Sequence, residues 1–293
     1  MKTTKTEIFD EHGKSRGFHD PANVLNDLTG KEWIFSTKTV IPKHYPSSFQ
    51  QELRNQHGGQ KPPELCAELI KTFTTEKETV LDPFAGVGGT LIACSLTNRQ
   101  GFGIEINGKW IKIYQEVCSL EKLQPQPLFL ADSCKFLKEY NFPNIDFILT
   151  DVPYWNMDAV KKSKGVYKKH GEASKGVYSK KSKLSKFNEE CPTKEEWRNT
   201  MLSVFNTCYL RLKPGGYCAV FIGNMYANGE YHLLNAELSE ILKTIGYVLK
   251  GEIIWYDVAK KLHLYGINYS WIPSVVHQFI MIFRKEKKDD KRK

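Results

Sequence analysis

Nine residues, Asp82-Pro83-Phe84-Ala85-Gly86-Val87-Gly88-Gly89-Thr90, carry the clearest structural instruction in the chain. The residues before them, Thr79-Val80-Leu81, are β-branched or apolar and read as the end of a buried strand. Glycine then recurs at 86, 88 and 89. Lacking a Cβ and tolerating positive φ, glycine lets the backbone pass close to a ligand. Gly89 to Asn98 reads as a helix, so strand, glycine turn and helix open a βαβ unit. The turn has neither the G-x-G-x-x-G spacing of a dinucleotide site nor the Lys-Ser/Thr of a phosphate-binding P-loop.

The same grammar repeats downstream. Gly101-Phe102-Gly103-Ile104 runs into Glu105, Leu128-Phe129-Leu130-Ala131 into Asp132, and Asp146-Phe147-Ile148-Leu149-Thr150 into Asp151. Helices are predicted between them at 109–122 and 134–140, with an earlier one over 62–73. Strands alternating with helices imply a parallel sheet. Thr193 with Glu196 forms a capping-box pattern that opens a helix to Leu212, and Pro214-Gly215-Gly216 reads as its break. A strand over 217–222, an amphipathic helix over 232–245 and two final strands over 247–256 and 275–283 complete the pattern. The expected fold is α/β, with about seven strands in a mostly parallel sheet and an antiparallel final strand.

Ligands of an open α/β sheet bind outside the carboxyl ends of its strands. One acid at a strand end only caps the next helix. Four in consecutive strands, beside a glycine turn, suit a bound nucleoside: Glu105 can accept from both ribose hydroxyls and Asp132 from an adenine amino group.

At these residues the chain resembles the DNA adenine-N6 and cytosine-N4 methyltransferases. Residues 82–90 look like their motif I, Asp151-Val152-Pro153-Tyr154 like their Asp-Pro-Pro-Tyr motif IV, and Gly59-Gln60-Lys61-Pro62-Pro63 like their motif X, in the order X, I, IV. The resemblance implies a class I, Rossmann-like methyltransferase fold and S-adenosylmethionine as cofactor. It implies cofactor contacts from Asp82, Pro83, Phe84, Ala85, Gly86, Gly88, Gly89 and Thr90. Glu105 and Ile106 would serve the ribose, Asp132 and Ser133 the adenine, and Lys61 and Pro62 the methionine end. Val152 departs from the family's first proline, keeping the carbonyl and losing the ring that stiffens the turn.

An exocyclic amine is a poor nucleophile because its lone pair is delocalised into the ring. A carboxylate and a backbone carbonyl aimed at its N–H protons stabilise the positive charge that develops on nitrogen. The expected catalytic set is Asp151, the Val152 carbonyl, Pro153, Tyr154 stacked on a flipped base, and Trp155 as a second aromatic surface. No metal is called for, and no catalytic cysteine. Aspartate at 151 leans towards adenine N6, since cytosine-N4 enzymes often carry serine there. An RNA base amine is the alternative substrate, and a nucleic-acid-binding protein that has lost catalysis is the alternative of a different class.

The net charge of +9 suits a polyanionic partner. It concentrates at 156–188, where ten lysines meet two acids and the motif Ser-Lys-Gly-Val-Tyr occurs at 163–167 and again at 174–178. Lysines alternating with aromatics suit phosphate contact plus base stacking, giving Lys161, Lys162, Lys164, Tyr167, Lys168, Lys169 and Tyr178 as substrate contacts. The expected organisation is an extension at 1–56, a methyltransferase domain at 57–284 with a substrate loop inserted at 156–192, and a basic tail at 285–293. Residues 31–57, with Lys38, Lys43, His44, Arg54 and His57, are a second basic wall. The seven cysteines form no CxxC pair and read as reduced thiols of a cytoplasmic protein. No apolar run is long enough to span a membrane. The expected partner is nucleic acid, DNA before RNA, and the resemblance adds a cognate restriction endonuclease.

Overall fold

A computed structural model describes residues 5–10, 12–140, 142–155, 193–227, 229–260, 271 and 274–287. The lysine-rich loop, with all seven of its named contacts, lies outside the described residues, as do Cys191, Tyr265 and Tyr269.

The chain begins with a hairpin, β1 (Thr6–Phe9) and β2 (Ser15–His19), followed by α1 (Gly30–Ser36), β3 (Val40–Pro42) and α2 (Gln51–Arg54). The expected alternation then starts. α3 (Pro63–Phe73) leads to β4 (Thr79–Asp82), α4 (Gly89–Leu96), β5 (Gln100–Glu105) and α5 (Gly108–Leu120). β6 (Leu128–Leu130), α6 (Ser133–Glu139) and β7 (Ile145–Asp151) follow. The second half comprises α7 (Lys194–Arg211), β8 (Leu212–Ile222), the small hairpin β9 (Met225–Ala227) and β10 (Glu230–His232), α8 (Leu234–Ile245), β11 (Val248–Tyr256) and β12 (His277–Arg284).

The main sheet has the order β3-β11-β12-β8-β7-β4-β5-β6. β12 runs antiparallel to both its neighbours and every other pairing is parallel. Seven of these strands with one reversed make the class I methyltransferase arrangement. The eighth, β3, comes from the segment expected to be an extension, and it pairs Val40, Ile41 and Pro42 with Ile254, Trp255 and Tyr256.

Helices cover both faces, which is why the strands read as continuous apolar runs. Val80, Phe147, Leu149, Ala219, Phe221 and Ile280 face α3 and α4, packing with Leu65, Leu69, Ile70 and Cys94. Leu81, Ile148, Cys218, Val220, Met281 and Phe283 face α6, α7 and α8, packing with Leu137, Met201, Phe205 and Leu238. At about 1.5–3 kcal/mol for each large side chain buried, these two layers supply the main driving force.

Thr193 and Glu196 make the predicted capping box, each side chain bonding the other's backbone amide. The break expected at Pro214-Gly215-Gly216 is instead the start of β8, which follows α7 without a loop. Gly215 takes a positive φ of 90° and donates its N–H to Lys285 O at 2.6 Å, so the glycine bends the strand without ending it.

The described cysteines are free, and burial pushes Cys66 up to about 12, so these thiols are packing groups. Among the described residues no cluster suits a metal ion, and no helix is long and apolar enough to cross a membrane.

Candidate active site

β4 pairs with β5 on one side and β7 on the other, and the chain's direction of travel across the sheet reverses there. Such a switch point opens a crevice at the carboxyl ends of the strands. Here the crevice measures about 320 Å³ and is lined by Phe84, Glu105, Ile106, Trp110, Asp132 and Ser133, and by Asp151, Val152, Pro153 and Tyr154. A smaller recess continues from it under the glycine turn, reaching Lys61, Asp82, Ala85, Gly86, Gly89, Thr90 and Phe221.

The four strand-end acids have different local duties. Asp82 is buried and accepts from Phe84 N at 3.1 Å and Thr150 Oγ1 at 2.7 Å. Burial raises its pKa to about 6, against the pull of those bonds. Glu105 ties the site together: Oε2 accepts from Gly86 N at 2.9 Å and Oε1 from Asn107 N at 2.7 Å. One carboxylate thus fixes the glycine turn against the end of β5. Asp132 is exposed and caps α6 through Cys134 N at 2.8 Å, so it does the capping that a lone strand-end acid would do while also facing the crevice. Ser133 donates to Pro83 O and holds the motif I turn from below.

Asp151 carries an ion pair. Its Oδ2 is bonded to Lys61 Nζ, which also donates to Gly59 O at 3.1 Å. Its Oδ1 is buried without a hydrogen-bond partner among the described residues. Burial raises the pKa of Asp151, and the Lys61 ammonium pulls it back. Tyr154 packs its ring over Gly223, where a Cβ would come within 3.0 Å of Cε2, and its hydroxyl accepts from Gln278 Nε2 at 2.9 Å. Trp197 Nε1 donates to Pro153 O at 2.8 Å, which commits that carbonyl and leaves Val152 as the residue whose carbonyl the amine would use. Val152 itself is buried in the core, and its N–H reaches Phe221 O at 3.4 Å. A proline has no such donor, so the turn is anchored to β8 here where the family's ring would stiffen it.

Three of the expected site residues stand apart from the crevice and its recess. Pro62 begins α3 as its N-cap. Gly88 lies behind the turn against Tyr114. Trp155 packs edge-on to His232 at 4.8 Å, under the Lys194 ammonium at 5.3 Å, away from the crevice. The second basic wall also dissolves: Arg54 is buried and donates to Lys61 O at 2.6 Å, Lys43 pairs with Glu68, and His44 with Asp257.

Sequence reasoning missed Trp110, Gln278 and the role of His57, all of which line the crevice. Trp110 falls in the helix that Glu105 precedes, so an aromatic shelf beside the ribose position was the available signal. Gln278 carries none, because only the reversed β12 brings it to Tyr154. The His57 ring stands edge-on to Trp110 at 5.0 Å and covers Gly86, with Nε2 3.0 Å from where a Cβ would sit.

Burial and the Lys61 charge lower His57 from 6.5 to about 4. The unfolded chain therefore takes up this proton below about 6.5 and the folded chain only below about 4. Acidification through that window favours unfolding by about 1–3 kcal/mol, reduced by the ring's partial exposure. Urea midpoints measured from pH 7 to 4 are expected to fall in the unaltered chain and to fall less steeply in His57→Gln.

The crevice fits S-adenosylmethionine. Its volume is in the range of small-ligand sites. A side chain at Gly86 would meet His57, the carboxylates of Glu105 and Asp132 line the crevice, and Phe84, Ile106 and Trp110 add apolar surface to it.

Comparison with known proteins bears on the family of the chain. The family model of the N6/N4 DNA methylases matches residues 7–116 and 145–293. The type II methyltransferase M.HpaI of Haemophilus parainfluenzae is 40% identical over 63 residues, 22% of this chain and 20% of that protein. A tRNA (guanine(10)-N2)-dimethyltransferase of Methanocaldococcus jannaschii is 26% identical over 144 residues, 45% of this chain and 36% of that one. These alignments thus span between a fifth and somewhat over a third of the relatives' own lengths. Among solved structures, TrmN from Thermus thermophilus superposes with a TM-score of 0.49 at 16% identity, over 79% of this chain and 52% of that one. With the family model matched over most of its length, and motifs X, I and IV brought together at one crevice, the chain belongs to the N6/N4 DNA methylase family.

Proposed function

We propose that this chain transfers a methyl group from S-adenosylmethionine to the exocyclic amine of a DNA base, adenine N6 before cytosine N4. One observation carries the reading: Asp151 lines the crevice built by motif I, and its Oδ1 is buried without a hydrogen-bond partner among the described residues. When bound, S-adenosylmethionine supplies an electrophilic methyl group. Lining residues Glu105, Asp132 and Ser133 hold its nucleoside, with Gly86, Gly89 and Thr90 towards its methionine end. Asp151 and the Val152 carbonyl accept hydrogen bonds from the two N–H groups of the amine, and the carboxylate offsets the charge that grows on nitrogen. The nitrogen then sheds one proton to solvent. Tyr154, fixed by Gln278 and Gly223, offers its ring to a base turned out of the stack. The lean to adenine rests on the acid at 151, and the lean to DNA on family membership and the net charge of +9. A cognate endonuclease belongs to this reading as a partner.

A second reading keeps the chemistry and changes the polymer to RNA, on the strength of the alignment with the tRNA dimethyltransferase. Incubation with methyl-labelled S-adenosylmethionine and separate unmethylated DNA and RNA pools tests both, followed by nucleoside analysis. Label is expected in DNA as N6-methyladenine. Label as N4-methylcytosine would replace the base assignment, and label confined to RNA would overturn the DNA reading.

A further inference from the structure

Lys61 stands in motif X, where a cofactor contact is expected, yet its ammonium points across the recess to Asp151. The side chain is nearly buried, and four features hold it on that course. Its own carbonyl accepts from Arg54 Nη2 at 2.6 Å, and that guanidinium is itself buried. The same carbonyl lies 3.0 Å from where a Cβ on Gly89 would sit, so it rests directly on the start of α4. At the far end the ammonium donates to Gly59 O and lies over the Phe221 ring at 5.5 Å. Pro62 and Pro63 follow at once and restrict the backbone.

Its target has two oxygens in unlike states. Oδ2 is bonded to Lys61, and Oδ1 is buried with no hydrogen-bond partner among the described residues. A carboxylate has lone pairs enough for both a lysine and a substrate donor. We propose that Lys61 is the positioning residue of the reaction, gripping Oδ2 so that Oδ1 alone is presented, as a carboxylate oxygen, to the N–H of the incoming amine. This rests on the reading of Asp151 as the amine's acceptor. The grip does two things. It fixes the rotation of the carboxylate, so the free lone pairs face the crevice. It also keeps the group ionised in a setting whose burial favours the neutral acid, which would offer the amine a proton in place of a lone pair.

The charged and titratable groups around the pair are few. Asp82 faces Asp151 from the end of β4, and the Tyr154 hydroxyl stands close to it in the same turn, where it favours the ionised carboxyl less strongly than Lys61 does. His57 and Lys260 face Lys61. Asp82 opposes a second negative charge at Asp151, so Lys61, ahead of Tyr154, is the main group that keeps Asp151 a carboxylate.

The test uses the full chain with Lys61→Met and Lys61→Arg. In Lys61→Met the acid limb of single-turnover methyl transfer is expected to move up by about 1–3 pH units, as for a carboxyl losing an adjacent cation. The loss near neutral pH would then be largely recovered at alkaline pH. Lys61→Arg is expected to keep the limb near its original place, and cofactor affinity to stay close to normal in both variants. Following the Asp151 carboxyl by carbon-13 NMR gives the same readout without turnover, and it covers a Lys61→Met variant that is folded but inactive at every pH. An unmoved limb and an unmoved carboxyl titration would overturn the proposal. So would a loss of cofactor affinity with the limb in place, because Lys61 would then serve the cofactor. Asp151→Ala separates the two levels: full activity there sinks the acceptor reading itself, whereas an inactive Asp151→Ala beside an unmoved Lys61→Met limb sinks only the role of Lys61.

Discussion

Asp151→Ala is expected to lower methyl transfer by about 10²- to 10³-fold, the usual cost of removing one preorganised group that meets developing charge. The amine starts neutral and passes through a state with positive charge on nitrogen. A carboxylate at Oδ1 therefore gains more in that state than with bound substrate, so the loss falls on kcat more than on KM. Cofactor affinity is expected to change little, because Glu105 and the glycine turn do not depend on Asp151 for their bonds. Alanine has a second effect: it strands the nearly buried Lys61 ammonium without its counter-charge. Breaking one side of a buried pair costs about 3–5 kcal/mol, discounted here by the partial exposure of Asp151. Asp151→Asn avoids most of that disturbance, since its amide oxygen can still accept from Lys61. Both variants, assayed for turnover and for cofactor binding by titration, are expected to bind and to fail in transfer. Undiminished turnover in either would remove Asp151 from the reaction.

The second large effect is structural. Gly88→Ala is expected to destabilise the fold by about 2–5 kcal/mol, the sum of a left-handed backbone and an overpacked neighbour. Gly88 has φ +75°, and an added Cβ would lie 2.2 Å from Tyr114 Cδ2. The ring cannot step aside easily. Tyr114 is buried, and its hydroxyl accepts from Gln126 N at 2.7 Å and donates to Gln126 O at 3.3 Å. The displacement would pass to the motif I turn and to Glu105 through Gly86. Denaturant midpoints are therefore expected to drop together with cofactor affinity. Combining Gly88→Ala with Tyr114→Leu separates the causes: the double variant should regain the part due to the clash and keep the part due to φ. A Gly88→Ala chain as stable as the original would refute the account.

The fold was legible because its strands are covered on both faces. That makes the middles of β4, β5 and β7 largely apolar, and the acids at 82, 105 and 151 mark where each emerges. The glycine turn was legible for a local reason, since only glycine suits positions such as Gly86 and Gly88. What escaped depends on partners far along the chain. β3 is three residues long and mostly exposed, and only its pairing with Ile254–Tyr256 makes it a strand. The Pro214-Gly215-Gly216 stretch reads locally as a stop, and it continues as a strand because Lys285 and Gly216 complete a backbone pairing across the sheet. At the site, the cofactor wall could be read from sequence, and the polar wiring could not. Nothing near Lys61 in sequence points to Asp151, 90 residues on, and nothing near Trp155 says that it turns towards His232.

The strand β3 has a consequence for how this chain keeps to itself. Without it, Ile254, Trp255 and Tyr256 of β11 would form the rim of a seven-strand platform, with backbone donors and acceptors facing outward. An open rim of apolar and aromatic residues is a template on which another polypeptide can lay a strand. Three residues, ending in a proline that offers no donor to the next chain, occupy that rim. β3 thus acts as a selvedge, the finished border that stops a woven sheet from being extended. A chain trimmed to start at motif X would keep every catalytic group and would gain an edge that invites other strands.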